Sequence, residues 1–217
     1  MTEITLIRHG QAQSGAKDEK SYDQLSDLGY QQAKWLGDYV RQSRGYDRII
    51  SGTMNRQIQT AQSLALEGIS HDHDERLNEL DYFGLANSLQ NSHGVDIPTD
   101  LTSFTTHFPK LLEVWQKGEI HSDLETYADF RGRIFDALRD VSKDNGRVLL
   151  VTSTGVISTL TAIALNLDFT QKCQIFLSVI HTSVHKFKMN DEKLQLVQFG
   201  ATPHLDVSGR DHAKTHV

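Results

Sequence analysis

Apolar positions along the chain change period repeatedly, and the changes mark out alternating strands and helices. Glu3 to Ile7 alternates before an apolar pair, predicting a short buried strand that delivers Arg8, His9 and Gly10 to its C-terminal edge. Gln11 to Gln24 is polar and reads as loop. Ser26 is positioned to cap a helix whose Leu28, Ala33, Leu36 and Val40 share one face, running to about Ser43. Arg48 to Ser51 predicts a second strand. A helix from Asn55 through Leu66 follows, with Ile58, Ala61, Leu64 and Ala65 inward.

From about Gly84 to Glu125 the pattern weakens among Pro98, Pro109 and many Ser, Thr and Asn residues, with one clear helix near Lys110 to Lys117. This stretch reads as an inserted cap, with Phe108, Leu111, Leu112 and Trp115 as its apolar underside. Thr126 to Lys143 is strongly amphipathic (Phe130, Ile134, Phe135, Leu138, Val141) and ends at Asn145-Gly146. Arg147 to Thr152 predicts a third buried strand feeding a helix over Gly155 to Leu165. Val179 to Met189, a turn at Asn190-Asp191, and Leu194 to Phe199 read as a hairpin. The tail after Gly200 has little pattern and reads as mobile or draped over the surface. Strands alternating with helices predict a three-layer α/β/α fold, a mostly parallel sheet with helices on both faces. The expected organisation is one domain over residues 1–217, with the cap inserted at about 84–125. Ligands of such sheets bind beyond the carboxyl ends of the strands.

Composition narrows the classes of function. With 38% hydrophobic and 23% charged residues, a substantial core is available and wholesale disorder is excluded. A formal net charge of −6 argues against a nucleic-acid binder, which needs a broad basic surface to displace counterions. A phosphate site needs only a few local cations. Cys173 is the only cysteine, which suits a reducing compartment. Apolar runs such as Val148 to Val151 fall far below a bilayer span, and the N-terminal residues read as neither signal peptide nor anchor. The expectation is a cytoplasmic protein without a membrane partner; oligomeric state stays open.

Arg8-His9-Gly10 directly after a buried strand is a weak signal alone, yet its chemistry is coherent. A neutral imidazole can attack phosphorus, splitting one difficult hydrolysis into two transfers. The adjacent guanidinium neutralises phosphoryl oxygens, and glycine lets backbone approach a ligand closely. Further landmarks follow in order. Leu25-Ser26-Asp27-Leu28-Gly29-Tyr30-Gln31-Gln32-Ala33 resembles the Leu-Thr-x-x-Gly-x-x-Gln-Ala segment of the histidine phosphatase (phosphoglycerate-mutase-like) superfamily. Ser51 to Ala61, with Arg56 and Thr60, resembles its Ser-x-x-x-x-Arg-x-x-x-Thr-Ala segment. Leu77 to Gly84, with Glu79, resembles its Leu-x-Glu-x-x-x-x-Gly segment. The resemblance covers the first 84 residues. It implies that His9 is phosphorylated in turnover, that Arg8 and Arg56 clamp the phosphoryl group, and that Glu79 protonates the leaving oxygen. It also puts Gln13, Ser14, Ser153 and Thr154 beside the phosphate, and it implies neither metal nor other cofactor.

One departure matters. The superfamily normally carries a second histidine in a Val-x-His-Gly segment after a late strand, and here Val151-Thr152-Ser153-Thr154-Gly155 puts Ser153 in that place. Serine donates one hydrogen bond without charge. Loss of a charge-assisted bond weakens transition-state binding by roughly 10- to 200-fold, so restoring histidine at this position is expected to raise the rate. His181 takes the place of a family Asn and reads as a histidine satisfied by backbone. The His71-Asp72-His73-Asp74-Glu75 run reads as a solvated connection before Glu79, not a metal site. The implied function is hydrolysis of a small phosphomonoester through phosphohistidine, with the phosphorylated substrate or inorganic phosphate as partner. Phosphoglycerate-mutase-type transfer and a weakly active phospho-ligand-binding pseudoenzyme are the alternatives.

Overall fold

The computed structural model describes residues 2–13, 16, 18–120, 123–143, 146–190 and 193–216. Six strands form one sheet in the order β3-β2-β4-β1-β5-β6. β1 (Glu3–Arg8) and β4 (Arg147–Thr152) pair in parallel at its centre, where both are buried on both faces and read as near-continuous apolar runs. β2 (Arg48–Ser51) and β3 (Ser70–His73) extend the parallel part, and β5 (Val184–Asn190) and β6 (Lys193–Ala201) add an antiparallel hairpin.

The pleat sends alternate side chains to opposite layers. Ile7, Ile49, Leu149 and Val151 pack under α2 (Asp27–Arg41) and α3 (Asn55–Ser63), through Leu36, Val40, Ala61 and Leu64. Ile4, Leu6, Val148 and Leu150 face the larger layer of α6 (Tyr127–Lys143), α7 (Thr154–Leu165) and α8 (Phe169–Ser178). α4 (Tyr82–His93) and α5 (Leu101–Gln116) extend that layer, burying Leu85, Leu89, Phe108, Leu111 and Trp115. The expected three-layer α/β/α architecture is therefore present, its sheet joined by three parallel and two antiparallel pairings.

Several local expectations need correction. The His71 to Glu75 run is mostly strand: Ser70–His73 pairs in parallel with β2 as an edge, and its polar residues are tolerated because little of it faces the core. The polar stretch Gln11 to Gln24 contains a one-turn helix, α1 (Glu19–Tyr22), capped by Asp18. The Val179 to Met189 strand begins only at Val184, because Thr182 adopts φ +59° and turns the chain. α5 is much longer than Lys110 to Lys117 and carries Pro109 inside it, starting from an Asp100–Ser103 capping box. α8 has no counterpart in the sequence reading. The tail packs inward, with Leu205 and Ala213 fully buried. Ser14, Asn145 and Asp191 lie outside the described residues.

Candidate active site

Parallel register brings the candidates to one edge: Arg8 lies beside Thr152, and Val151 beside Ser51. Residues just past β1, β2 and β4 therefore converge. His9 is buried, and its N–H donates to Thr152 O at 2.8 Å. Its Nδ1 lies 2.7 Å from Gly10 O. A carbonyl only accepts, so Nδ1 carries the proton and Nε2 presents a lone pair. Burial, reinforced by Arg56 and Arg8, holds the imidazole well below its ordinary pKa. A neutral ring with a fixed tautomer results.

The family-like landmarks without chemistry of their own hold this loop. A Cβ at Gly10 would stand 2.5 Å from Gly29 O, and one at Gly29 only 2.1 Å from Gln11 O, so loop and helix α2 touch backbone to backbone. Gly10 N donates to Thr60 Oγ1 (2.9 Å) and Gln11 N to Gln32 Oε1 (2.8 Å). Gln32 Nε2 in turn donates to Ala213 O (2.7 Å) and Thr215 Oγ1 (3.0 Å), tying the loop to the C-terminal tail.

Arg8, His9, Gln13, Arg56, Glu79 and Thr154 line one cavity of about 390 Å³. Arg8 is buried and donates from Nη1 to Val179 O (2.5 Å) and to His216 O; burial brings its pKa down to about 10. Arg56 is equally buried. Its Nη1 meets Glu19 Oε1 (2.5 Å) and Asp23 Oδ1 (3.0 Å), and its guanidinium lies 4.9 Å from the Tyr22 ring centroid. Burial opposes its charge, but Glu19, Tyr22 and Asp23 outweigh burial and hold it above the ordinary arginine value. The Nε atoms of both arginines and the Thr154 hydroxyl are buried without a hydrogen-bond partner. Buried donors are rarely left so, and the residues that carry these three line a cavity that also holds His9.

Glu79 accepts from Leu80 N (3.0 Å) on Oε1 and from Gly155 N (2.8 Å) on Oε2. Burial raises its pKa, against the pull of those two amides and of both arginines. The amide at the start of α7 therefore faces this carboxylate. Ser153 departs from its expected place beside the phosphate. Its hydroxyl accepts from Gln57 Nε2 at 2.8 Å, is fully enclosed, and does not line the cavity. Thr154, the next residue, does. Gln13 stands at the exposed rim, donating to Leu25 O at 3.2 Å.

His181 was not assigned to the site by its sequence, yet its ring centroid lies 5.6 Å from that of His9. Its Nδ1 meets Thr215 O (3.0 Å) and Thr215 Oγ1 (2.9 Å), while Nε2 is buried and unpartnered. Thr182 N donates to Arg8 O at 3.1 Å, so this turn is fastened to the motif strand. The far wall of the cavity, from Tyr82, Phe83, Ile97, Leu101, Phe104 and Phe176, was likewise unassigned. The His71–His73 pair engages the Ser51 hydroxyl from β3. Among the described residues no group of three or more His, Cys, Asp or Glu side chains is arranged to hold a metal ion, and no helix is long and apolar enough to cross a membrane.

A family model, histidine phosphatase superfamily (branch 1), matches residues 4–202. A search of curated proteins gives no match. Among solved structures the chain is similar to a mutant Entamoeba histolytica phosphoserine phosphatase in complex with phosphoserine. The identity is 21% and the TM-score 0.68, covering 94% of this chain and 100% of that one. It is also similar to a Bacillus anthracis phosphoglycerate mutase (19%, TM-score 0.69, 94% of each chain). A mycobacterial glucosyl-3-phosphoglycerate phosphatase in complex with VO3 aligns at 20% identity and TM-score 0.66, over 92% of this chain and 98% of that one. At these identities the likeness is one of fold.

Proposed function

The chain belongs to the histidine phosphatase superfamily, and from that premise we propose that it is a phosphohydrolase acting on a small phosphomonoester through a phosphohistidine at His9. The observation that carries this reading is a neutral His9, with its Nε2 lone pair set by the Nδ1–Gly10 bond, sharing one cavity with Arg8, Arg56 and Glu79.

In the first half-reaction Nε2 attacks phosphorus and the ester P–O bond breaks. Glu79, whose pKa burial raises, gives its proton to the leaving oxygen, releasing the alcohol. Arg8, Arg56 and the Thr154 hydroxyl grip the phosphoryl oxygens, where the arginines supply charge that a metal supplies in kinases. In the second half-reaction the Glu79 carboxylate takes a proton from water, the hydroxyl attacks phosphorus, and the P–N bond breaks to give inorganic phosphate and the starting enzyme. Substrate must displace Glu19 from Arg56, an exchange of one anion for another. The segment around α4 and α5, residues 84–125, serves as the cap of a single domain. A cytoplasmic setting suits the single, buried Cys173.

The test is hydrolysis of 4-nitrophenyl phosphate by purified protein after exhaustive chelation, beside His9→Ala. The reading requires turnover that survives chelation and falls by at least about 10³-fold in the variant. Equal rates for the two proteins would remove it.

A further inference from the structure

Beyond the phosphoryl end, the cavity changes character. Its remaining wall is mostly apolar: Tyr82 and Phe83 from α4, Phe104 and Phe108 from α5, Phe176 from α8, and Ile97 from the connection before α5. The rings form one packed surface. Phe104 stacks on Phe108 at 5.6 Å between centroids, Phe108 on Phe176 at 3.8 Å, and Tyr82 meets Phe104 at 5.4 Å.

The charges in the lining are as informative as the rings. Among the described lining residues only Arg8 and Arg56 are cationic, and both belong to the phosphoryl end. The other charged groups among them are Glu19, Glu79 and Asp100. Asp100 caps α5, accepting from Ser103 N at 2.8 Å, so its carboxylate is held at this edge. A substrate carrying a second anionic group, such as a carboxylate next to the phosphoester, would bring it against rings and the Asp100 carboxylate, away from the two arginines of the phosphoryl end. Desolvating an unpaired anion is strongly unfavourable, whereas an apolar group gains from the same wall.

We propose that the substrate is a phosphomonoester of an apolar alcohol, aromatic or long-chain, without a second acidic group. The wall formed by α4, α5 and α8 selects it, and Asp100 at the edge of that wall disfavours phosphorylated hydroxy acids and phospho-amino acids. This proposal rests on the hydrolase reading above and names the substrate class of that same site. The chemistry is unchanged: the released product is the apolar alcohol, with its oxygen protonated by Glu79.

The test is a kcat/KM series over n-alkyl phosphates from methyl to octyl, where leaving-group basicity hardly changes, together with naphthyl phosphate, phosphoserine and 3-phosphoglycerate. Each methylene accommodated by the wall is expected to raise kcat/KM about fourfold until the cavity is full. The two carboxylated substrates should fall at least about 100-fold below hexyl phosphate. The second arm is Leu101→Arg, at a largely exposed first position of α5 on the cavity edge. It places a cation at this end of the cavity and should raise the ratio of 3-phosphoglycerate to hexyl phosphate turnover by about tenfold. A flat alkyl series, or carboxylated substrates turned over as well as hexyl phosphate, overturns the proposal while leaving the phosphatase reading intact. Absence of turnover for every ester, 4-nitrophenyl phosphate included, overturns the phosphatase reading instead.

Discussion

Gly155 offers a way to move the proposed acid without changing it. A Cβ at this position would stand 2.1 Å from Glu79 Oε1 and 3.1 Å from Leu80 Cδ2, in a backbone conformation that any residue adopts. Alanine there must push the Glu79 carboxylate off its bond to Gly155 N, currently 2.8 Å. Positioned general acids contribute roughly 10²–10⁴-fold, or about 3–5 kcal/mol. Gly155→Ala is therefore expected to lower kcat/KM for hexyl phosphate by about 10²-fold or more, and much less for 4-nitrophenyl phosphate, whose leaving group needs little protonation. Overpacking of this kind costs about 1–3 kcal/mol, a fall in Tm of roughly 2–10 °C, so the fold survives at the assay temperature. The assay is a double-mutant cycle with Glu79→Gln, read as initial rates against pH. If both changes remove one function, the double variant is no slower than the slower single. The limb on which phosphorylation weakens as pH rises through the elevated Glu79 pKa should vanish in all three variants. Additive losses, or an unaltered rate in Gly155→Ala, would refute the assignment of Glu79 as the acid.

Burial lowers His185 to about 3 and His204 to about 4, and holds His9 and His181 well below the ordinary value. Below pH 6.5 the unfolded chain binds protons that the folded chain refuses. Stability is therefore full above that pH and lost as pH falls toward 4, at ~1.4 kcal/mol per pH unit for each group. Urea melts at pH 7, 6 and 5 check this, and an unchanged midpoint contradicts it. Gln32→Ala removes the bonds to Gln11 N, Ala213 O and Thr215 Oγ1 and should cost about 2–4 kcal/mol, seen as a Tm drop of roughly 4–15 °C; a shift under 2 °C would argue against this clamp. Ser153→His reverses the expectation from sequence. The hydroxyl is enclosed and held by Gln57, so the larger ring should destabilise by about 1–3 kcal/mol and slow turnover, and a faster variant would count against this geometry.

The parts legible in sequence are those where local pattern and chemistry coincide. β1 is an apolar strand ending in a charged motif, and its burial on both faces leaves its reading unambiguous. The helix after Ser26 has a capping side chain and one apolar face, and both are present. β3 was hidden because an edge strand of four polar residues carries no alternation. α4 and the first half of α5 are obscured by Pro98 and Pro109, although Leu85 and Leu89 repeat at helical spacing, whereas the second half of α5 is legible from Phe108, Leu111 and Trp115. The tail gave no signal because much of its contribution is made by backbone carbonyls, those of Ala213, Thr215 and His216, which any side chain can carry. At the site, His9, Arg8, Arg56, Glu79, Gln13 and Thr154, the residues the resemblance singles out, line one cavity. Ser153 does not, because strand alignment fixes where a residue stands but not which neighbour its side chain meets. That neighbour, Gln57, lies 96 positions away in the chain.

Phosphate on the nitrogen of His9 is the event on which the account turns. Rapid acid-free quenching of enzyme mixed with excess naphthyl phosphate, followed by peptide mass spectrometry, reads it directly. The account predicts a phosphorylated peptide containing His9, stable to base and labile to acid, appearing faster than steady-state turnover and absent from His9→Ala. Full turnover with no such species, or an equal phosphopeptide signal on another residue in the variant, would contradict it.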